Sequence, residues 1–259
     1  MSSAQIKLEK RGHTAILTMS NPPANTWTKE TLTALKEQVE ALNADKDIFA
    51  LVLTGEGEKF FSAGADLNVF ASGDKGVAAQ MSQVFGAAFE TLSDFRGVSI
   101  AAINGFAMGG GLEVALACDI RIAEEQAQMA LPEAKVGLLP CAGGTQNLAL
   151  LVGEGWAKRM ILCGERIKAD KAHSIGLIEE VVGSGESLDK ALALAEQVGE
   201  QSPVAVSYCK TLIQQGRHGD IRSALPLERE LFVKLFDTQD QTEGVNAFLE
   251  KRKAKWVNG

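Results

Sequence analysis

Residues 104–133 read NGFAMGGGLEVALACDIRIAEEQAQMALPE, and the fold of this 259-residue chain turns on them. Just upstream lies VSIAAI, residues 98–103, a short apolar run rich in β-branched residues that reads as a buried strand. Asn104-Gly105 breaks it. Three consecutive glycines, Gly109, Gly110 and Gly111, follow, and LEVALAC then reads as helix. The local plan is strand, glycine turn, helix. Glycines let backbone N–H groups approach a ligand with no Cβ in the way. A helix N-terminus leaves its first N–H groups unpaired and carries partial positive charge. Such a place can hold a developing negative charge. Glu113 sits at the start of that helix and Glu133 follows Pro132 in a second turn, so the stretch reads as an oxyanion site flanked by two carboxylates.

Working outward, the pattern alternates between strand and helix. Ile6 to Met19 suggests a strand pair turning at Arg11-Gly12, stopped by Asn21-Pro22-Pro23. Thr28 is a helix N-cap, with Leu32, Leu35, Val39 and Leu42 at helical spacing behind it. IFALVLT (48–54) is a buried strand that leads into GEGEKFFSAGADL, a second glycine-bearing turn. Residues 71–79 read as a mobile loop. Met81, Val84, Phe85, Ala88, Phe89 and Leu92 mark one helix face. Beyond the central stretch, two short strands flank Glu124-Glu125. Gly143-Gly144 opens a helix interrupted at Gly153, a short helix surrounds Ala169, and Ile178–Val182 is a strand. From about Leu188 only helical patterns remain, with breaks expected at Pro203, Gly216 and Pro226. The reading is an α/β core over residues 1–195 and a helical part over 196–259.

Bulk properties exclude several classes. A net charge of −7 argues against a broad nucleic-acid surface. No apolar run reaches membrane-spanning length, and MSSAQIKLEK lacks the apolar core of a secretory leader. Cys118, Cys141, Cys163 and Cys209 have no CxxC spacing and read as free thiols in a reducing cytoplasm.

The candidate chemistry has bland competitors. A glycine triplet alone is also a tight turn. Here Val114 occupies the third glycine position of a dinucleotide fingerprint, and no GxxxxGK[ST] occurs. The second turn, Ser62-Ala63-Gly64-Ala65-Asp66, strengthens the oxyanion reading, because two turns can each supply one backbone donor. Glu113 stands out by interrupting an apolar helix, and Glu133 by ending an apolar extended run. Asp66 and Asp119 read more simply as helix caps or core salt bridges. His13, His173 and His218 are scattered, with no metal spacing. Ser99 lies inside a strand and lacks a nucleophile elbow. Cys141 reads as a free structural thiol, and the basic tail Lys251 to Lys255 as a solvated or anion-binding face.

FFSAGADL (60–67), INGFAMGGGLEVALACD (103–119), LPEAKVGLLPCAGGTQ (131–146) and TEGVNAFLEKR (242–252) occur in order. Through them the chain resembles the enoyl-CoA hydratase/isomerase (crotonase) superfamily over essentially its whole length. The resemblance implies an α/β crotonase-like spiral of ββα units with a C-terminal helical trimerisation region, assembled as a homotrimer or a dimer of trimers. It implies that Ala65 and Gly110 donate backbone N–H groups to a thioester carbonyl. It makes Glu113 and Glu133 the catalytic pair, Glu113 activating water for attack at C3 and Glu133 delivering a proton to C2. Ala63, Asp66, Leu67 and Cys141 are expected against the substrate, Phe248 and Lys251 against coenzyme A across a subunit interface, and Asp119 as a buried structural residue near the site. The partner is an acyl-CoA thioester, with no nucleic acid or membrane. Coenzyme A belongs to the substrate, and neither metal nor redox cofactor is needed.

The sequence departs from the family at Cys141, where hydratases usually have a glycine, and at Leu131, Asn68 and Asn147, where a polar residue, a lysine and an arginine are common. The leading expectation is hydration of trans-2-enoyl-CoA, as in fatty-acid β-oxidation. The alternatives are a Δ3–Δ2-enoyl-CoA isomerase, a hydratase of branched or dicarboxylic enoyl-CoA, and a non-enzymatic acyl-CoA- or RNA-binding protein of the same fold.

Overall fold

The computed structural model describes residues 5–219 and 221–259, apart from the side chains of His218 and Ser223. Residues 1–4, part of the stretch read for a leader, lie outside it, as does the His218 side chain. Strands β1 (Gln5–Arg11) and β2 (Thr14–Ser20) form an antiparallel hairpin, with Arg11 opposite Thr14. Gly12 turns it at φ +55°, a left-handed conformation that favours glycine. Helix α1 (Lys29–Ala44) starts at Thr28, whose side chain accepts from the Thr31 N–H in a reciprocal capping box.

Three ββα units follow. In each, a long strand enters one sheet, a three-residue strand enters a second sheet, and a helix returns. The first unit is β3 (Ala50–Gly55), β4 (Phe60–Ser62) and α2 (Lys75–Ser93). The second is β5 (Val98–Ile103), β6 (Phe106–Met108) and α3 (Gly110–Ala117). The third is β7 (Ile120–Glu124), β8 (Gln128–Ala130) and α4 (Gly144–Leu162), kinked at Gly153 (φ 75°, ψ 159°). Next come β9 (Ile167–Lys168), α5 (Ala169–Ser174), β10 (Glu180–Val182) and α6 (Ser187–Gly199). The C-terminal part is α7 (Pro203–His218), α8 (Ile221–Lys234) and α9 (Gln239–Leu249). This is the crotonase-like ββα spiral with a helical C-terminal region.

The larger sheet runs β1-β2-β3-β5-β7-β10, parallel from β2 onward, and the smaller runs β4-β6-β8-β9. β3 and β5 read as unbroken apolar runs because both their faces are covered. Leu51, Leu53, Ala101 and Ile103 enter the main core. Ala50, Val52, Ile100 and Ala102 pack on Ala191 and Ala195 of α6. Asn104 locks the corner between units. Its Nδ2 donates to the Gly55 carbonyl (2.9 Å) and the Gly57 carbonyl (2.6 Å), and its Oδ1 accepts from the Gly55 N–H (3.2 Å).

Several sequence expectations are corrected. Residues 75–79 are the first turn of α2, capped by Asp74, whose Oδ1 accepts from Gly76 and Val77; no loop reaches residue 79. α7 continues through Gly216, and Pro226 lies inside α8. Both positions are exposed, and Pro226 falls in the second turn of α8, where its cost does not end the helix. Of the second sheet the sequence reading holds only β8, the later of the two strands flanking Glu124-Glu125; β4, β6 and β9 have no counterpart in it.

Candidate active site

The smaller sheet gathers the site along one edge. β4, β6 and β8 run parallel, so Ala63–Asp66, Gly109–Gly110 and Pro132–Glu133 all emerge from the same side. β9 is antiparallel to β8, which brings Arg166 to that side too. The edge opens on a cavity of about 1040 Å³, whose lining includes Ala63, Ala65, Asp66, Leu67, Gly110, Glu113, Glu133 and Cys141.

The two glycine turns fit together tightly. Gly64 has φ +87°, and a Cβ there would stand 2.6 Å from the Met108 carbonyl and 3.0 Å from the Gly110 nitrogen. A Cβ on Gly111 would collide with the Ser62 carbonyl. Close backbone approach therefore requires glycine at both positions. Ala65 pairs with Trp27 in an isolated parallel bridge: Trp27 donates to the Gly64 carbonyl (2.8 Å), and Asp66 donates to the Trp27 carbonyl (3.1 Å). A residue so paired turns its own N–H to the opposite side. Gly110 is the first residue of α3, so its N–H has no carbonyl one turn back. Among the described residues neither N–H meets an acceptor. Two free donors thus line one cavity, the second at a helix N-terminus.

The carboxylates have unlike surroundings. Glu113, in the first turn of α3, is buried, and its Oε1 accepts from the Ala142 N–H (2.8 Å) and the Gly144 N–H (2.9 Å). Burial nonetheless raises its pKa, opposed by those N–H groups and that of Cys141. Glu133 opens a single 3-10 turn (Glu133–Val136) after Pro132. Its Oε2 is buried with no hydrogen-bond partner among the described residues. Burial, and secondarily the charge of Glu113, pushes it up to about 7. One carboxylate is thus held by backbone donors, and the other takes a proton near neutrality.

The sequence profile of the enoyl-CoA hydratase/isomerase family matches residues 9–259. The chain belongs to that family. It is 39% identical to the short-chain-enoyl-CoA hydratase of Clostridium acetobutylicum, over 98% of this chain and 97% of that protein. The structure of DspI from Pseudomonas aeruginosa superposes with a TM-score of 0.95 at 66% identity, covering 97% of this chain and 96% of that one. An enoyl-CoA hydratase from Bacillus anthracis superposes with a TM-score of 0.94 at 34% identity, covering 98% and 99%. As a crotonase-superfamily enzyme the protein performs hydratase/isomerase chemistry on acyl-CoA thioesters, with hydro-lyase activity.

Within this crotonase fold eight of the ten residues singled out from the sequence line one cavity. Phe248 and Lys251 do not. They lie at the end of α9 with Phe248 84% exposed, and Lys251 takes φ 55° as the left-handed residue that closes the helix. Asp119 is not at the cavity either. It lies past the far end of α3, accepting from the Ser99 N–H (2.8 Å) and from Lys210 Nζ (2.8 Å). Cys141 is not among the residues with positive φ, so its backbone carries no penalty for lacking glycine. The residue is exposed to the cavity, yet desolvation and then the charges of Glu113 and Glu133 push its thiol up to about 11. Phe70 and the α2 residues Ala78, Ala79, Ser82 and Phe85 form another wall of the cavity. Among the described residues, none of the C-terminal helices joins them. Lys135 and Arg166 also line the cavity; neither lies in a glycine turn or interrupts an apolar run, so no sequence signal pointed to them.

Proposed function

We propose that the protein hydrates a trans-2-enoyl-CoA to the 3-hydroxyacyl-CoA. The observation that carries this is the pairing of two unlike carboxylates with two unpaired backbone donors around one cavity. The Ala65 and Gly110 N–H groups hold the thioester oxygen. As water adds at C3, the electron pair of the C2–C3 double bond moves toward that oxygen, and the enolate charge rests between the two donors. Losing one such donor typically costs about 2.7–4 kcal/mol of transition-state stabilisation. Glu113, whose Oε1 accepts from the N–H groups of Ala142 and Gly144, orients and deprotonates the water. Glu133, with its pKa about 7, gives C2 its proton. Ala63, Asp66 and Leu67 lie on the wall that follows β4 and flank the CoA side of the thioester. Phe248 and Lys251 are exposed and do not line their own cavity, which supports their contacting coenzyme A bound to a neighbouring subunit in a trimer or dimer of trimers.

The test is loss of the conjugated enoyl-thioester absorbance when purified protein meets crotonyl-CoA and then a longer 2-enoyl-CoA. Fast loss that disappears in Glu133→Gln supports the reading. Tight binding of both esters without loss would refute it. Δ3–Δ2 isomerisation is the second reading, favoured by Cys141, which puts a thiol in the cavity lining within reach of the charges of Glu113 and Glu133. Isomerisation needs one proton-shuttling group between C2 and C4, and Glu133 suffices. A 3-enoyl-CoA converted equally well by wild type and Glu113→Gln would establish it.

A further inference from the structure

We propose that Trp27 is a positioning residue that sets the two oxyanion donors at their working separation. The inference rests on the reading of Ala65 and Gly110 as those donors. Trp27 is 1% exposed and among the largest fully buried side chains. It touches both halves of the hole by different means. Its backbone pairs with Gly64 and Asp66 on either side of Ala65, which aims the Ala65 N–H toward the cavity. Its indole packs beneath the other half, with Cδ1 3.5 Å from where a Cβ of Gly110 would stand. Phe89 meets the indole edge-on at 5.6 Å between ring centres, and Phe85 meets Phe89 likewise at 5.6 Å. Three interlocked rings therefore back the N-terminus of α3, and the one that also governs Ala65 is Trp27.

The indole adds a second observation. Nε1 is buried and has no hydrogen-bond partner among the described residues. Buried polar atoms without partners are uncommon and call for a reason. Phenylalanine would fill most of the volume with no polar atom to satisfy. The size of the indole, which fills the space between Gly110 and Phe89, supplies the reason. Trp27 does not line the cavity, so it acts through Ala65 and Gly110 and does not touch substrate.

The experiment uses the intact enzyme, with Trp27→Leu and Trp27→Phe. Cinnamoyl-CoA is the probe, because its absorption band moves to the red when hydrogen bonds polarise its carbonyl. Wild type is expected to shift the band, Trp27→Phe to shift it less, and Trp27→Leu least. Hydration kcat should fall at least about tenfold in Trp27→Leu with KM nearly unchanged, since a misplacement of 1 Å can cost about 10²-fold. A purely structural role would lower Tm and leave both the band position and the kcat of folded protein intact. A wild-type band shift matched by both variants overturns the role of Trp27 alone. If Trp27→Leu does not fold, a full wild-type shift in Trp27→Phe overturns it equally. Absence of any shift in wild type overturns the oxyanion reading together with it.

Discussion

Glu133 holds Oε1 against Gly109, where a Cβ would lie only 3.2 Å away, while Oε2 is buried without a partner. Burial and Glu113 raise its pKa from the ordinary 4.5 to about 7. Between those values the folded protein keeps a proton that the unfolded chain has released. Stability therefore falls as pH rises through that window and is level above it. Glu133→Gln removes the dependence, so its Tm relative to wild type should be higher at pH 8 than at pH 5, as read by thermal melts at both. If Glu133 is the proton donor, hydration kcat/KM should decline on the alkaline side with a midpoint near 7. Glu133→Gln and Glu113→Gln should each lower kcat by about 10²–10⁴-fold while acyl-CoA binding, followed by calorimetry, survives. Gly144→Ala tests the hold on Glu113. Its Cβ would stand 2.8 Å from both Cγ and Oε1 of Glu113, yet Gly144 has no positive φ and alanine suits a helix start. Activity should drop well before Tm does. Both glutamates were legible in the sequence because each broke an apolar run. Lys135, Arg166 and Trp27 were not, because their roles depend on which strands share an edge.

At the scale of elements, the site is two glycine turns pressed together, and Gly64 is their contact. Alanine there meets both a positive φ and the Met108 carbonyl. The backbone strain alone is about 1–3 kcal/mol. Gly64→Ala is expected to lower Tm and kcat together, in contrast to Gly144→Ala; melting and turnover measured on the same samples distinguish the two. The long strands β3 and β5 and the helices α1 and α2 could be read from the sequence because each carries several periods of its pattern. β4, β6 and β8 span three residues and β9 two, fewer than one can use to tell alternation from chance. Apart from β8, read as the second strand around Glu124-Glu125, the sheet that aligns the catalytic edge was therefore invisible, although both turns it presents were found. The breaks expected at Gly216 and Pro226 failed for a related reason. Local propensity costs about 1 kcal/mol for glycine and about 3 kcal/mol for proline in a helix, and the helices around Gly216 and Pro226 absorb it.

At the scale of the molecule, the C-terminal helices leave large apolar side chains in the open. Ile213 is 70% exposed, Phe232 62%, Val233 66%, Phe236 59% and Leu249 72%. Large apolar side chains exposed in this number, with Phe232 and Phe236 in edge contact at 5.6 Å between ring centres, point to an association face. Light scattering should accordingly give a mass near three or six times that of the 27.6 kDa chain. Phe232→Lys with Val233→Lys should shift it toward monomer by placing charges where a partner must pack. If Lys251 reaches a neighbour's coenzyme A, the dissociated form and Lys251→Ala should share one defect: a raised KM for enoyl-CoA. Neither should change turnover of the same enoyl group carried on pantetheine, which lacks the nucleotide that Lys251 would hold. A defect on both thioesters would instead mean that association shapes the cavity itself, through the loop after Pro132 with its exposed Val136, Leu138 and Leu139.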